Sequence, residues 1–245
     1  MRYLLSIAGF DPTTGAGVTR DIITFRKFGF YGLGATTSIT YQNTRGFYGM
    51  SVLSSQNVRK QIDALLDSFK IKYVKVGLVG SKDTANMIVE LANEYDWFMV
   101  FDPLLSAKNG YTLNRREDII NLLRRADVIT PNVPEAEQLS GKKIEEPIDI
   151  IKIGYILQDI YGGYVVIKGG HLDGSDYLFG PDFMHSTSMA LIKKNVHGTG
   201  CIYSSALLAE IAAGKNMKEA VESVRKFMQD EIESSVDMGG YALTP

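Results

Sequence analysis

Short apolar runs alternate along the chain with longer stretches in which apolar residues recur every three or four positions. "YLLSIAG" (Tyr3–Gly9) reads as a strand. "GVTRDIITFRKFG" (Gly17–Gly29) places Val18, Ile22, Phe25 and Phe28 at helical spacing and closes on a C-capping glycine. Extended segments are predicted at Gly32–Thr40 and Tyr48–Leu53. A helix is predicted over Ser55–Lys70, with Val58, Ile62, Leu65, Leu66 and Phe69 on one side. Strands over Tyr73–Gly80, Trp97–Pro103, Asp127–Asn132 and Tyr164–Gly170 then alternate with helices over Lys82–Tyr95, Arg116–Ala126, Val133–Gly141 and Pro147–Gly162. A hairpin-like patch, Asp176–Ser188, precedes an apolar, small-residue helix near Cys201, and a last helix spans Met217–Ser235.

Strand–helix alternation of this kind means βαβ units: an α/β fold with a mainly parallel central sheet and helices on both faces. No internal repeat or low-complexity linker interrupts it, and 245 residues fit one domain, 1–245. The formal net charge is −2, which supplies no basic field for nucleic acid or an anionic membrane. The apolar runs are shorter than a membrane span. A single cysteine cannot form an internal disulfide, and with no leader-like segment the expected location is the cytoplasm.

In open α/β sheets, ligands sit beyond the carboxyl ends of the strands. Six polar or glycine-rich segments fall there: "AGFDPTTGAG", "TYQNTRG", "GLVGS", "DPLLSAKNG", "TPNVPEAE" and "KGGH". There is no GxxxxGK[ST], no GxGxxG after the first strand, and no GxSxG. His171, His185 and His197 lack metal-ligand spacing.

"HGTGC" offers another route to phosphate. Glycines admit close backbone approach, and a helix's first turn leaves amides unpaired at the positive end of its dipole. The amides of Gly198, Thr199, Gly200 and Cys201 could form an anion hole, and a thiol there is expected to have its pKa lowered toward neutrality. A small buried cysteine packing the helix against the sheet is the structural alternative. Asn132 and Glu135, with Pro134 between them, fit a capping box, or equally a carboxylate and amide organising Mg²⁺ waters near a nucleotide. Lys168, ahead of two glycines, is either a phosphate point charge or a snorkelling strand-end lysine.

These motifs, with "QNTRG", "VGLVG" and "NVHGTGC", occur in the order and rough spacing of the ribokinase-like kinases. Over roughly residues 3–235 the chain resembles the hydroxymethylpyrimidine/phosphomethylpyrimidine kinases of thiamine biosynthesis. The resemblance implies a ribokinase-like three-layer sandwich and ATP- and Mg²⁺-dependent phosphorylation of 4-amino-5-hydroxymethyl-2-methylpyrimidine, then of its monophosphate. It matches Cys201 to the catalytic base and Gly198, Thr199 and Gly200 to the anion hole. Gly9, Asp11, Ala16, Asp21, Gln42, Leu78 and Leu104 match the substrate pocket. Lys168, Asn132 and Glu135 match the ATP network, with Asp102 and Glu135 toward Mg²⁺ through water. The segment between His171 and Asn195, with the last two helices, is expected to meet the adenine. The resemblance also implies a small-molecule pyrimidine substrate and, by analogy with kinases that are often dimers, a homodimer.

Three residues depart from the family pattern. Thr14 replaces a glycine and would be strained if the loop needs positive φ. Arg20 replaces a small residue before Asp21, and Tyr41 precedes Gln42 where smaller residues are common. These departures keep two alternatives open: a pyridoxal kinase with the same cysteine apparatus, and a non-catalytic ligand-binding paralogue.

Overall fold

The computed structural model describes residues 2–107, 109–169, 174–188, 192, 194–239 and 242–245. In chain order the elements are β1 (Tyr3–Phe10), α1 (Gly17–Lys27), β2 (Tyr31–Asn43), β3 (Gly46–Val52), α2 (Ser55–Ser68), β4 (Tyr73–Val76) and α3 (Lys82–Glu94). Next come β5 (Phe98–Phe101), α4 (Arg116–Arg125), β6 (Val128–Ile129), α5 (Val133–Ser140), α6 (Pro147–Tyr161) and β7 (Tyr164–Gly169). The chain finishes with β8 (Ser175–Gly180), β9 (Phe183–Ser188), α7 (Thr199–Ala212), α8 (Met217–Ser234), β10 (Val236–Asp237) and β11 (Ala242–Leu243).

Among the described residues the main sheet has nine strands in the order β3-β2-β1-β4-β5-β6-β7-β8-β9. The six from β2 to β7 run parallel, and antiparallel pairs close both edges. Connections leave β1 outward to β2 and then return to its other side at β4. That reversal is a topological switch point at the carboxyl ends of β1 and β4, the place where open sheets bind ligands.

Strand alternation splits the interior into two cores. Leu5, Ile7, Val74 and Val76 face one core, completed by Val58 and Ile62 of α2, Ile88 and Leu91 of α3, Leu122 of α4 and Leu157 of α6. Leu4, Val100, Val128 and Val166 face the other, against Phe25 of α1, Ile202 and Leu207 of α7 and Val224 of α8. The α7 helix is buried on nearly every side, which explains why its sequence shows small and apolar residues without a polar stripe. No helix among the described residues is long and apolar enough to cross a membrane.

Two segments exceed their sequence-based limits. The β2 strand runs past Thr40 to Asn43, and with β3 forms a hairpin projecting beyond the sheet. Its tip rests on the loop after β5: Asn109 Nδ2 donates to the Phe47 carbonyl at 2.9 Å, and the Phe47 and Tyr111 rings lie 5.1 Å apart. The tail, without a sequence signal, forms the small β10–β11 ribbon and bridges back to Val196.

Candidate active site

The loop after β1 is built around Asp11. Its carboxylate accepts from the Thr13 amide and hydroxyl, both at 2.8 Å, from the Ala16 amide at 3.0 Å, and lies 2.8 Å from His197 Nε2. Burial would raise its pKa, but these hydrogen bonds from His197 and Thr13 hold the carboxyl below its usual value. Asp11 therefore organises the loop rather than facing a substrate. Thr14 does sit at φ 59°, the strained conformation its sequence position raised.

That loop delivers α1 to the first turn of α7. Gly198, the α7 N-cap, has φ 78°, and a Cβ there would run into the Gly15 carbonyl. Gly17 opens α1 at φ 66°, and a Cβ there would strike the Gly9 carbonyl. Only glycine fits either contact. Neither helix carries a side-chain cap or an acidic residue in its first turn, whereas α2, α3, α5 and α8 have side-chain caps. Two helix N-termini thus converge with amides left for an anion, including those of Thr199 and Gly200.

Cys201 lies where they meet, and the Gly17 amide hydrogen-bonds to its sulfur. The thiol is buried at 5% exposure, with Lys75, Asp21 and Asp102 as its charged surroundings. The expected lowering of its pKa is not found. Burial pushes the thiol up to about 11; Lys75 opposes this, while the Asp21 and Asp102 carboxylates add to it. The dipole rule fails here because desolvation and two nearby anions outweigh it.

Asp21 also departs from expectation. It is fully buried and saturated: Lys75 Nζ lies 2.8 and 3.0 Å from its two oxygens, Ser6 Oγ donates at 2.5 Å and Ser205 Oγ at 2.8 Å. No acceptor remains for a pyrimidine amine, so Asp21 lies beneath the site and does not line it. Its partner Lys75 is wholly buried; burial would lower its pKa, but the Asp21 and Asp102 carboxylates raise it, so it stays charged.

A second cluster lies at the ends of β5, β6 and β7. Lys168 Nζ donates to Asp102 Oδ1 at 2.8 Å. The charges of Asp102 and Glu135 outweigh burial and keep Lys168 protonated. Asn132 and Glu135 form the capping box: Asn132 Oδ1 accepts from the Glu135 amide, and Glu135 Oε2 from the Asn132 amide, both at 2.9 Å. Burial raises the Glu135 pKa, with the Asp102 charge adding and Lys168 opposing. The cap and the proximity to Lys168 coexist. A Cβ on Gly200 would lie 3.3 Å from both Asp102 Oδ2 and Lys168 Nζ, so this cluster abuts the first turn of α7.

Of the remaining pocket residues, Gly9 lies against Leu78, and Gly77 lies against Lys75 and Leu104. Leu104 is held at φ 43°. Gln42 projects from the hairpin, its Nε2 donating to Thr40 Oγ1 at 2.9 Å, which in turn donates to the Phe10 carbonyl. Gly170 and His171, with 172–173, 189–191 and 193 of the segment expected to meet adenine, lie outside the described residues.

The fit to a divalent cation turns on Asp102. Its Oδ2 is buried and without a hydrogen-bond partner, an orphan facing the α7 turn. No group of three or more His, Cys, Asp or Glu among the described residues could cage an ion unaided. Mg²⁺ bound with nucleotide needs only one or two carboxylates, the rest being water and phosphate oxygens. The residues present fit it.

Two uncapped helix N-termini and the Lys168–Asp102 pair share one edge of a doubly covered α/β sheet, an arrangement that suits a ribokinase-like small-molecule kinase. A family model described as "Phosphomethylpyrimidine kinase" matches residues 11–244. The chain belongs to that family. It is 36% identical over 249 aligned residues to the hydroxymethylpyrimidine/phosphomethylpyrimidine kinase of Aquifex aeolicus, covering 98% of each chain. The crystal structure of phosphomethylpyrimidine kinase from Clostridium difficile superposes with a TM-score of 0.81 at 34% identity, over 94% of this chain and 99% of that one. Staphylococcus aureus pyridoxal kinase, solved with AMP-PCP and pyridoxal, gives a TM-score of 0.88 at 28% identity, over 100% of this chain and 93% of that one.

Proposed function

We propose that the protein transfers the γ-phosphoryl group of ATP to the 5-hydroxymethyl oxygen of 4-amino-5-hydroxymethyl-2-methylpyrimidine, and in a second turnover to the monophosphate. The observation that carries this reading is the convergence of the uncapped α1 and α7 N-termini beside Lys168 and Asp102. Phosphoryl transfer asks mainly for positioning and charge neutralisation, which these groups supply. Gly9, Leu78 and Leu104 wall the pyrimidine. With its amide nitrogen engaged by Thr40, Gln42 offers its carbonyl to the ring amine.

In the proposed step the hydroxyl oxygen bonds to phosphorus as the bond to the β-phosphate oxygen breaks, and ADP leaves. The α1 and α7 amides hold the migrating oxygens, and Lys168 neutralises the phosphates. Asp102, with Glu135 through water, would hold Mg²⁺, which when bound offsets phosphate charge. The Cys201 thiol, neutral at pH 7, orients the hydroxyl, whose proton ends on the transferred group. The reading takes residues 1–245 as one cytoplasmic kinase domain. A homodimer is supported by the exposed Ile39, Tyr41, Tyr48 and Val52 along β2–β3.

Backbone similarity is higher to the pyridoxal kinase, while sequence identity is higher to the pyrimidine kinases. Side chains select the acceptor, so the higher sequence identity favours the pyrimidine. The test measures ADP release with Mg-ATP and, in parallel, the pyrimidine alcohol, its monophosphate and pyridoxal. The expected result is a larger kcat/KM for the pyrimidine alcohol. A larger value for pyridoxal overturns the substrate, and binding without turnover overturns the activity.

A further inference from the structure

Arg20 is an almost fully buried cation on α1. Its guanidinium is directed at backbone carbonyls: Nε donates to Thr14 at 3.0 Å, Nη2 to Thr244 at 2.8 Å and Nη1 to Pro245 at 3.3 Å. A buried planar fork satisfied in this way fixes the segments carrying those carbonyls relative to one another.

Those segments bear on the anion hole. Thr14 is the strained loop residue, and the next carbonyl, Gly15, packs against Gly198 at the head of α7. A Cβ on Gly15 would lie 2.6 Å from Leu243 Cδ2 and 2.5 Å from His197 Cδ2, so tail and loop are in tight contact. The tail is also stitched to the segment entering α7. The Ala242 amide donates to the Asn195 carbonyl at 2.8 Å, and the His197 amide to the Ala242 carbonyl at 2.9 Å. Residues 242–245 therefore touch both loops that deliver the two helix N-termini.

We infer that Arg20 is a positioning residue that clasps Ala242–Pro245 across the Thr14–Gly15 and Asn195–His197 loops, and that this clasp sets the spacing of the anion-hole amides. Only the kinetic readout rests on the proposed phosphoryl transfer. Amides stabilise a developing oxyanion at about 2.7–3.1 Å, and a displacement of about 1 Å costs on the order of a hundredfold in rate.

The test compares Arg20→Ala, Arg20→Lys, Ala242→Pro and the Arg20→Ala/Ala242→Pro double variant with wild type. Arg59→Ala is the control: Arg59 pairs with Asp63 on the exposed surface of α2 and bonds no residue of 242–245. Arg20→Ala and Ala242→Pro should each lower kcat about ten- to a hundredfold, with KM for the alcohol within about threefold. The double variant should be no worse than the worse single, and Arg20→Lys should recover part of kcat. Amide exchange over 195–201, measured without ligand, should quicken in both single variants and not in the control. Unchanged kcat and exchange, or fully additive losses, overturn the clasp. Should Arg20→Ala fail to fold, Arg20→Lys decides by the same two readouts. A wild type inactive on the pyrimidine refutes the proposed function, while the exchange comparison still judges the clasp.

Discussion

Titrating the Cys201 thiol tests the electrostatic account of the site. With a pKa of about 11, roughly one thiol in ten thousand is ionised at pH 7, a cost of about 5 kcal/mol. A well-placed general base returns about 10²- to 10⁴-fold in rate. The cost matches or exceeds the return, so a thiolate base brings no net gain at neutral pH. A loose phosphoryl-transfer transition state needs little proton removal in any case. Wild-type kcat, from a coupled ADP-release assay, should therefore show no steep rise from pH 6.5 to 9, and Cys201→Ala should lower it by less than about tenfold. Stability supplies an independent check. Because the folded thiol holds its proton above the reference value of 9.0, the unfolded chain ionises first as pH climbs. Wild type should lose up to about 3 kcal/mol between pH 9 and 11, measured by urea unfolding against Cys201→Ala, which should not share that loss. A kcat rising tenfold per pH unit toward pH 10 and abolished in Cys201→Ala would show that the thiolate is the base after all.

Three further outcomes follow from the buried charges and the strained loop. Lys75→Met leaves Asp21 charged and unpaired and should cost about 3–5 kcal/mol in urea unfolding, most of it restored by adding Asp21→Asn. Burial raises Asp176 from 3.8 to about 6 despite Arg225, so the folded state keeps a proton that the unfolded chain has released. Wild type should lose up to about 3 kcal/mol as pH rises from about 4 to 6, and Asp176→Asn should flatten that slope; an equal slope in both rejects the assignment. Thr14→Gly relieves a positive φ and should leave stability level or up by about 1 kcal/mol, whereas a clear fall in Tm would show that the Thr14 side chain supports the loop.

The sheet was legible because a parallel strand buried on both faces reads as an unbroken apolar run, and the amphipathic helices between such runs leave few alternatives. The polar end of β2, Tyr41–Asn43, was not: beyond the apolar run, pairing with β3 holds it extended, and pairing leaves no local mark. The tail strands escaped for the same reason. In the site, the helix start within "HGTGC" and the capping reading of the Asn132–Glu135 spacing are both seen, and Thr14 does take a positive φ. Long-range contacts were hidden. A lysine between Val74 and Val76 demands a buried partner, but nothing local says that Asp21 supplies it. Once that pair is visible, both errors over Asp21 and Cys201 share one cause: local rules see a helix end or a motif position and miss the charge brought from elsewhere in the chain.

The close seating of Gly198 on Gly15, with Leu243 beside them, bears on how the protein is made. The Gly15 loop, made early, meets Gly198 and Leu243 only after the segments that carry them have been synthesised. A nascent chain that has completed β1 through β7 already owns most of its sheet, yet it lacks the Ser205 that bonds Asp21 and the turn that faces Asp102. The seating of the α1 and α7 N-termini is thus completed late in synthesis, after the strands from β1 to β7.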